Sequence, residues 1–352
     1  MPATEFAWGD AQAVQKWSPK IAREIIDKCY FKKFLGTSED SILQMYMDLS
    51  KGGGDTIYHD VLYQNRGDGT QGDTTLEGNE EALELYQDTL KIDQLRQAHN
   101  FRQMSQQRTI HDLRKLGKSS LSTWFAWKFD TMMFAYLAGA VGDSSETASG
   151  TLGSAGFAAN AVQVPDAAHV HRPNAAMTLS VIDAAVTLAK TVNPRIRPVM
   201  VNGSAKYVAV LHPNSIYALR QASGAGSWRE IHMNVAENGS KNPIYTGAMG
   251  EYNGVVIHES EYIPINSGTT VLTGFTAQND TANLLLGAQA GAFALGNGAQ
   301  RGENYFSWEE QTRDYGNNRG VAAGCKFGMK KTRFNSADFG VMQMQTTDAP
   351  PS

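Results

Sequence analysis

Two strand-like runs, "DTIYHDVLYQ" (Asp55–Gln64) and "LELYQDTLKI" (Leu83–Ile92), enclose the polar, glycine-rich tract 65–82. Their β-branched and aromatic residues mark the runs as strands. The tract between them is too long for a tight turn and suits the tip of a long hairpin. A two-stranded ribbon with so little continuous apolar surface is marginal in water by itself. The unit must therefore lie on something else, either the rest of the chain or another subunit.

With 352 residues the chain exceeds one compact domain, and two or three structural units are expected. Its 41% hydrophobic and 19% charged content is that of a chain able to bury a core. Before the hairpin, Val14, Trp17, Ile21, Ile25, Tyr30 and Phe34 recur at near-helical spacing, with Pro19 placed to open the main helix. Gly52-Gly53-Gly54 then breaks the chain. After the hairpin, residues 101–140 carry the longest helical signal, which Gly117 divides or kinks. Its second half is a stripe of Leu121, Trp124, Phe125, Phe129, Met132, Met133, Tyr136 and Leu137, expected to pack on a sheet or neighbouring helix rather than to line a cofactor pocket.

A further helix is marked over Pro173–Pro194 and stopped by Asn193-Pro194. "KYVAVLHPNSIYALRQ" (Lys206–Gln221) reads as a strand, a His-Pro break and a helix, and short strands with glycine turns follow. The fold class expected is α+β, with helices early and strands late.

A formal charge of -4 offers no general basic surface for phosphates. Cys29 and Cys325 form no C-x-x-C, so neither a zinc site nor a disulfide framework is suggested, and a reducing place of synthesis fits. The N-terminus lacks the basic and apolar regions of a secretory signal. The most apolar segment, Trp124–Val141, is interrupted by Lys128 and Asp130 and reads as a buried helix, not a membrane span.

The tract itself spells two motifs, Arg66-Gly67-Asp68 and a G-x-G-x-x-G at Gly67, Gly69 and Gly72. A dinucleotide site needs a helix opening at the third glycine, its N-terminus toward the pyrophosphate. Here Asp73, Glu77, Glu80 and Glu81 follow, where they would repel phosphate, and Gly78-Asn79 would break a helix. A nucleotide-dependent enzyme using the Gly67–Gly72 loop is thus the weaker alternative. The Arg-Gly-Asp match reads as an exposed hairpin tip. Asp68, Asp73 and Glu77 miss the spacing of a calcium loop.

His169 and His171 form an H-x-H without a third ligand. His111-Asp112 and His212-Pro213 read as surface and turn residues, since no nucleophile motif accompanies them. Glu309 and Glu310 are adjacent and would face opposite ways in a strand. No catalytic residue, cofactor or metal is expected.

The order of parts, and three stretches in particular, carry a resemblance. "GDTTLEGNEEALELYQDTLKIDQLRQAHNF" (Gly72–Phe101), "YTGAMGEYNGVVIHESEYIP" (Tyr245–Pro264) and "RDYGNNRGVAAGCKFGMKKTRFNSADFGVMQMQT" (Arg313–Thr346) resemble the major capsid proteins of tailed phages, in the family of the N4-like podovirus coat protein. "VAVLHPNSIYALR" is similar to the strand, turn and helix of such coat proteins.

The resemblance implies the Johnson fold. Its expected parts are an N-terminal arm and helix at 1–36, an extended β-hairpin arm (E-loop) at 37–100 and a peripheral domain with a long spine helix at 101–200. An axial domain at 201–319 and terminal strands at 320–352 that return to the peripheral domain complete it. It also implies a structural protein whose copies assemble as hexamers and pentamers into an icosahedral virion shell around double-stranded DNA, bound without sequence specificity and without a membrane. Scaffolding, portal and decoration proteins are the expected partners, and the host bacterial cytoplasm the place of assembly.

The chain reaches its arm by residue 10, so a separate scaffolding protein, or a cleavage already made, is expected. Nothing picks out the Lys, Asn and Glu of an isopeptide cross-link. Inter-subunit contact is expected at the arm's tip, through Arg66, Asp68, Asp73, Leu76, Glu77, Asn79 and Glu80. Within the same fold, an encapsulin-like nanocompartment shell loaded with cargo protein is the alternative.

Overall fold

A computed structural model describes residues 24–47, 54–62, 69–78, 80, 85–139, 160, 162–201, 203–222, 250–266, 280–296 and 306–350. Residues 24–28 are helical, and a 3-10 turn, Tyr30–Phe34, follows them. The helix expected to reach Phe34 therefore ends sooner. Asp130 explains the change of geometry, because its carboxylate accepts the Tyr30 N–H at 2.9 Å and the Phe31 N–H at 3.1 Å and so caps the new turn.

Two short strands, β1 (Leu35–Gly36) and β2 (Leu43–Tyr46), precede the hairpin of β3 (Thr56–Leu62) and β4 (Leu85–Lys91). The hairpin register runs from Thr56 opposite Lys91 to Leu62 opposite Leu85, so the polar tract does connect paired strands. Next come β5 (Asp93–Arg102), the six-residue helix α1 (Gln103–Arg108) and the spine helix α2 (Leu113–Ala138).

The long helical signal breaks at Asp112 and not at Gly117. The Asp112 side chain accepts the N–H groups of Arg114 (3.0 Å) and Lys115 (3.4 Å), an N-cap that starts a new helix. Gly117 stays inside that helix because the Phe101 ring lies against it, and a Cβ there would come within 2.7 Å of the ring. At the far end Gly139 adopts φ 64 and closes α2 with a left-handed cap.

The second half of the chain supplies β6 (Val170–His171), α3 (Leu179–Thr191), β7 (Val199–Val201), β8 (Ser204–Leu211) and α4 (Pro213–Gln221). It continues with β9 (Gly250–Tyr252), β10 (Val255–Glu259), β11 (Asp280–Leu286), β12 (Gly291–Leu295) and β13 (Phe306–Arg313). It ends with β14 (Asn318–Lys331), β15 (Arg333–Phe334), β16 (Ala337–Asp338) and β17 (Val341–Thr347). The helix expected before Asn193-Pro194 and the strand, break and helix around His212-Pro213 are both present.

Two sheets organise these elements. In the first, β14 pairs with β5 along one side and with β13 and β12 along the other, and β12 pairs in parallel with β2. In the second the order is β6-β17-β11-β8-β10-β9, with β7 beside β8. The sequence division at 319/320 falls inside β14, and the last long strand, β17, enters the second sheet. Strands are spread along the chain rather than confined to its later part.

Alternation along the strands explains the layers. From β14, Val321, Ala323, Cys325, Phe327 and Met329 join the core that covers α2, as do Phe306 and Trp308 of β13. From β8, Val208 and Val210 enter that same core, whereas Tyr207, Ala209 and Leu211 pack with α3 and α4. The second sheet is thus buried on both faces, and the near-continuous apolar run of β8 follows from that. Cys29 and Cys325 are both buried and free.

Phe129 sits at the centre, with ring centroids 4.5 Å from Phe327, 6.1 Å from Phe293 and 6.0 Å from Phe125. Phe129→Ala is expected to lose about 3–5 kcal/mol, measured by urea unfolding of the unassembled subunit, because neighbours held by three elements cannot close the cavity.

Asp130, beside it, is buried without a cation in hydrogen-bond contact, and burial pushes its pKa from 3.8 up to about 6 against the opposing effects of the two N–H donors and Lys33. The native state therefore holds the proton more tightly than the unfolded chain. The contribution is full below pH 3.8 and is lost as pH rises through 6, of order 3 kcal/mol in all. Asp130→Asn is expected to remove that slope from unfolding free energies measured between about pH 4 and 7.

Candidate inter-subunit surface

The base of the β3–β4 hairpin is fixed to the subunit by side chains of three kinds. Ile57 and Leu90, directly opposite each other, pack on Ala292 and Ala294 of β12. Asp88, buried, accepts from Lys330 Nζ and from the Thr89 N–H (2.8 Å), while Lys330 also donates to the Thr89 carbonyl at 3.0 Å. Asn160 completes the set: it accepts the Lys91 N–H at 3.0 Å, donates to the Lys91 carbonyl at 2.5 Å and passes its own carbonyl to Tyr136 Oη of α2 at 2.8 Å. Gly328 lets β14 come this near, because a Cβ there would lie 2.2 Å from the Lys91 oxygen.

Beyond that base the arm loses its cover. Every described residue from 69 to 80 is exposed except Thr70, which is half-buried. Asp73, Leu76, Glu77 and Glu80 are among the exposed ones, with Leu76 61% accessible. Glu80 accepts the Gly78 N–H at 2.7 Å, a local turn. Gly69, Gly72 and Gly78 adopt φ of 69, 64 and 89, the left-handed region that turns require. The contact residues expected at Arg66, Asp68 and Asn79, and with them the Arg-Gly-Asp motif, lie outside the described residues.

The structure places the described residues of the weighed motifs as follows. Of the glycines that suggested a phosphate cradle, Gly67 lies outside the described residues, and Gly69 and Gly72 open no helix among the described residues between β3 and β4. His169 is fully buried in a 3-10 turn, 3.2 Å from Asp166 Oδ2 and 3.3 Å from the Pro194 carbonyl, while His171 is on β6. Among the described residues no cluster of His, Cys, Asp or Glu could hold a metal.

His212 accepts the Asn214 N–H at 3.1 Å and caps α4, and burial holds its pKa below the usual imidazole value, which keeps the acceptor nitrogen free of a proton. Glu310 binds Arg114 Nε at 2.9 Å and Trp308 Nε1 at 2.8 Å, while Glu309 is exposed on the other side. Among the described residues no helix is long and apolar enough to cross a membrane.

One polar cluster escapes sequence inspection. Asp348 accepts from the Met177 N–H (2.8 Å), Ser215 (2.5 Å), Thr281 (3.0 Å) and Thr346 (2.6 Å), and all four polar side chains are buried. Sealed from solvent, it fastens the chain after β17 to the segment leading into α3, to α4 and to β11, and offers no access to a substrate. Asp88 is detectable in principle, since it stands two residues before Leu90 on the inward face of a strand. Asn160 carries no such sign.

The comparisons agree with this geometry. A family model described as phage capsid protein matches residues 5–349. The major capsid protein of Pseudomonas phage KPP25 is 28% identical over 375 residues, spanning 97% of this chain and 96% of that protein. The capsid of Ralstonia phage GP4 matches with a TM-score of 0.78 at 34% identity over 100% of both chains. The capsid of Cyanophage Pam1 shares the fold, with a TM-score of 0.70 at 20% identity over 99% of this chain and 100% of that one. The fold is the Johnson type expected of such proteins, and the comparisons do not single out the N4-like podovirus branch.

Removing the carboxylate that holds the arm's base should loosen the arm before the core. Asp88→Ala is expected to cost about 2 kcal/mol or more, because it strands the Lys330 ammonium in a half-buried site. Amide hydrogen exchange should quicken at least about tenfold in residues 56–62 and 85–91 and stay unchanged in the middle of α2.

Proposed function

The chain belongs to the phage capsid protein family, and from that membership and the geometry above we infer how it works: it is the major capsid protein that forms the head shell of a tailed phage. Its role is structural and its place is the virion. Copies meet as hexamers and pentamers in an icosahedral shell that encloses double-stranded DNA, assembled in the host bacterial cytoplasm. Scaffolding and portal proteins, and decoration proteins where present, complete the particle. A net charge of -4 suits a wall past which DNA must be driven without being gripped.

One observation carries the reading of how copies join. The hairpin is rigidly rooted at Asp88, Leu90 and Lys91, yet its described tip residues have no cover within the subunit. An arm of this kind gains its cover from the adjoining copy, in a heterologous contact that repeats around a ring. Asp73, Leu76, Glu77 and Glu80, together with Arg66, Asp68 and Asn79, form that contact.

Deletion of Arg66–Gly72 is expected to leave a folded subunit of unchanged melting temperature and to reduce shells by at least about tenfold, counted by electron microscopy and sedimentation. Shells in normal number after the deletion would overturn the role given to the tip. DNA recovered from purified particles separates a phage head from a protein-loaded nanocompartment.

A further inference from the structure

We propose that the acidic tip of one copy docks on the basic end of the neighbouring copy, the corner built by the end of β5, α1 and the start of α2. The proposal rests on the arm reading above and names the surface that receives the arm.

The corner is basic and the tip acidic. From 94 to 118 the sequence carries six cations against one acid, while 69 to 80 carries Asp73, Glu77 and Glu80 and no cation. Two of the six cations are engaged inside the subunit, Arg114 with Glu310 at 2.6 Å and Lys118 with Glu24 at 3.4 Å. Arg96, Arg102, Arg108 and Lys115 are exposed, with Lys115 3.8 Å from Asp112, too open a pair to hold it.

The same corner exposes apolar side chains, Met104 at 57% and Ile110 at 102%, with Leu116 beside Arg114 and Lys115 on the first turns of α2. Helix α1 has no buried residue at all. A six-residue helix cannot sustain itself without a packed face, so the corner as it stands in one subunit is unfinished. The tip presents the complement: one exposed leucine, Leu76, among three carboxylates, to meet two or three apolar side chains among cations.

Topology assigns the two surfaces to different copies. Strand β14 pairs Asn318 with Arg102 at the basic end, and Lys330 near its other end holds Asp88 at the base of the hairpin. At the rise of an extended strand these ends stand roughly 40 Å apart, and within one subunit the tip and the corner both stay exposed, so neither covers the other. A tip from the neighbour reaches the corner without folding back along its own sheet.

Charge reversal tests the pairing. A tip variant (Asp73→Lys, Glu77→Lys, Glu80→Lys) and a corner variant (Arg102→Glu, Arg108→Glu, Lys115→Glu) are each expected to fold and to lose shells about tenfold or more at about 0.15 M salt. Both sets in one chain should restore shells to within about threefold of the unaltered protein. A combined variant no better than the poorer single one overturns the pairing.

Should a reversed variant not fold, the milder Glu77→Gln and Arg108→Gln are compared singly and together. Losses in assembly that simply add overturn the proposal, and a combined loss smaller than the sum supports it. Corner variants that form shells in normal number but hold less DNA would also overturn it, in favour of a nucleic-acid contact. If the Arg66–Gly72 deletion abolishes shells while charge reversal gives no rescue, the arm reading stands and only this receiving surface falls.

Discussion

The aromatic face of α2 has to be covered along most of the helix, and β14 is the strand long enough to do it. Fourteen residues of β14 lie against a helix of twenty-six, and the inward series Val321, Ala323, Cys325, Phe327 and Met329 meets Phe125, Phe129 and Met133. A strand so placed must satisfy hydrogen bonds on both edges. β5 takes one edge, and β13 and β12 in succession take the other. The remaining connections follow, for β11, which precedes β12, and β17, which follows β14, pair in the second sheet. Each sheet is therefore anchored by strands from both sides of the other in sequence.

The arm inherits its position from the same strand. Gly328 admits the Lys91 carbonyl to the edge of β14, and Lys330, two residues on, reaches Asp88. The base of the hairpin is thus tied to the most buried part of the subunit, through Asn160 and Tyr136 to α2 as well. A rigid root under an uncovered tip fixes the direction of the arm without consuming the tip's own contacts. That division of labour is what a repeating contact in a closed shell needs.

How much of this could be read from the sequence depended on whether a segment's own residues or a distant partner decided its state. The hairpin, the helix before Asn193-Pro194 and the junction at His212-Pro213 carry local signals, and they fold as their residues direct. β5 carries almost none. Its outward positions, Gln94, Arg96, Ala98, Asn100 and Arg102, are polar or small, and its extended form is imposed by pairing with Asn318–Phe327 at the other end of the chain.

Gly117 reads as a helix break or kink in the sequence, but Phe101, itself on β5, lies against it and only a glycine leaves that room. Asp112, five residues earlier in the helical signal, is the true start because its carboxylate finds two N–H groups. The acids at Asp88 and Asp130 stand out of pattern on inward faces, but their partners lie on β14 and on the turn at Tyr30, which no local spacing reveals. The order of these parts was legible in the residues and carried the family resemblance, which in turn implied the Johnson fold.

The polarity of the tip also follows from the shell it serves. An arm ending in a large apolar patch would bury more surface in each contact, but every free subunit would expose that patch, beside the unpaired edges of a two-stranded ribbon, and would aggregate before it assembled. Asp73, Glu77 and Glu80 around a single leucine avoid that hazard: like tips repel each other, and the corner proposed to receive them is cationic and partly apolar. Contacts of this kind are individually weak and screened by salt. On the proposed reading each copy both gives and receives an arm, so misplaced subunits can leave while the lattice grows and the completed ring holds by the number of its contacts.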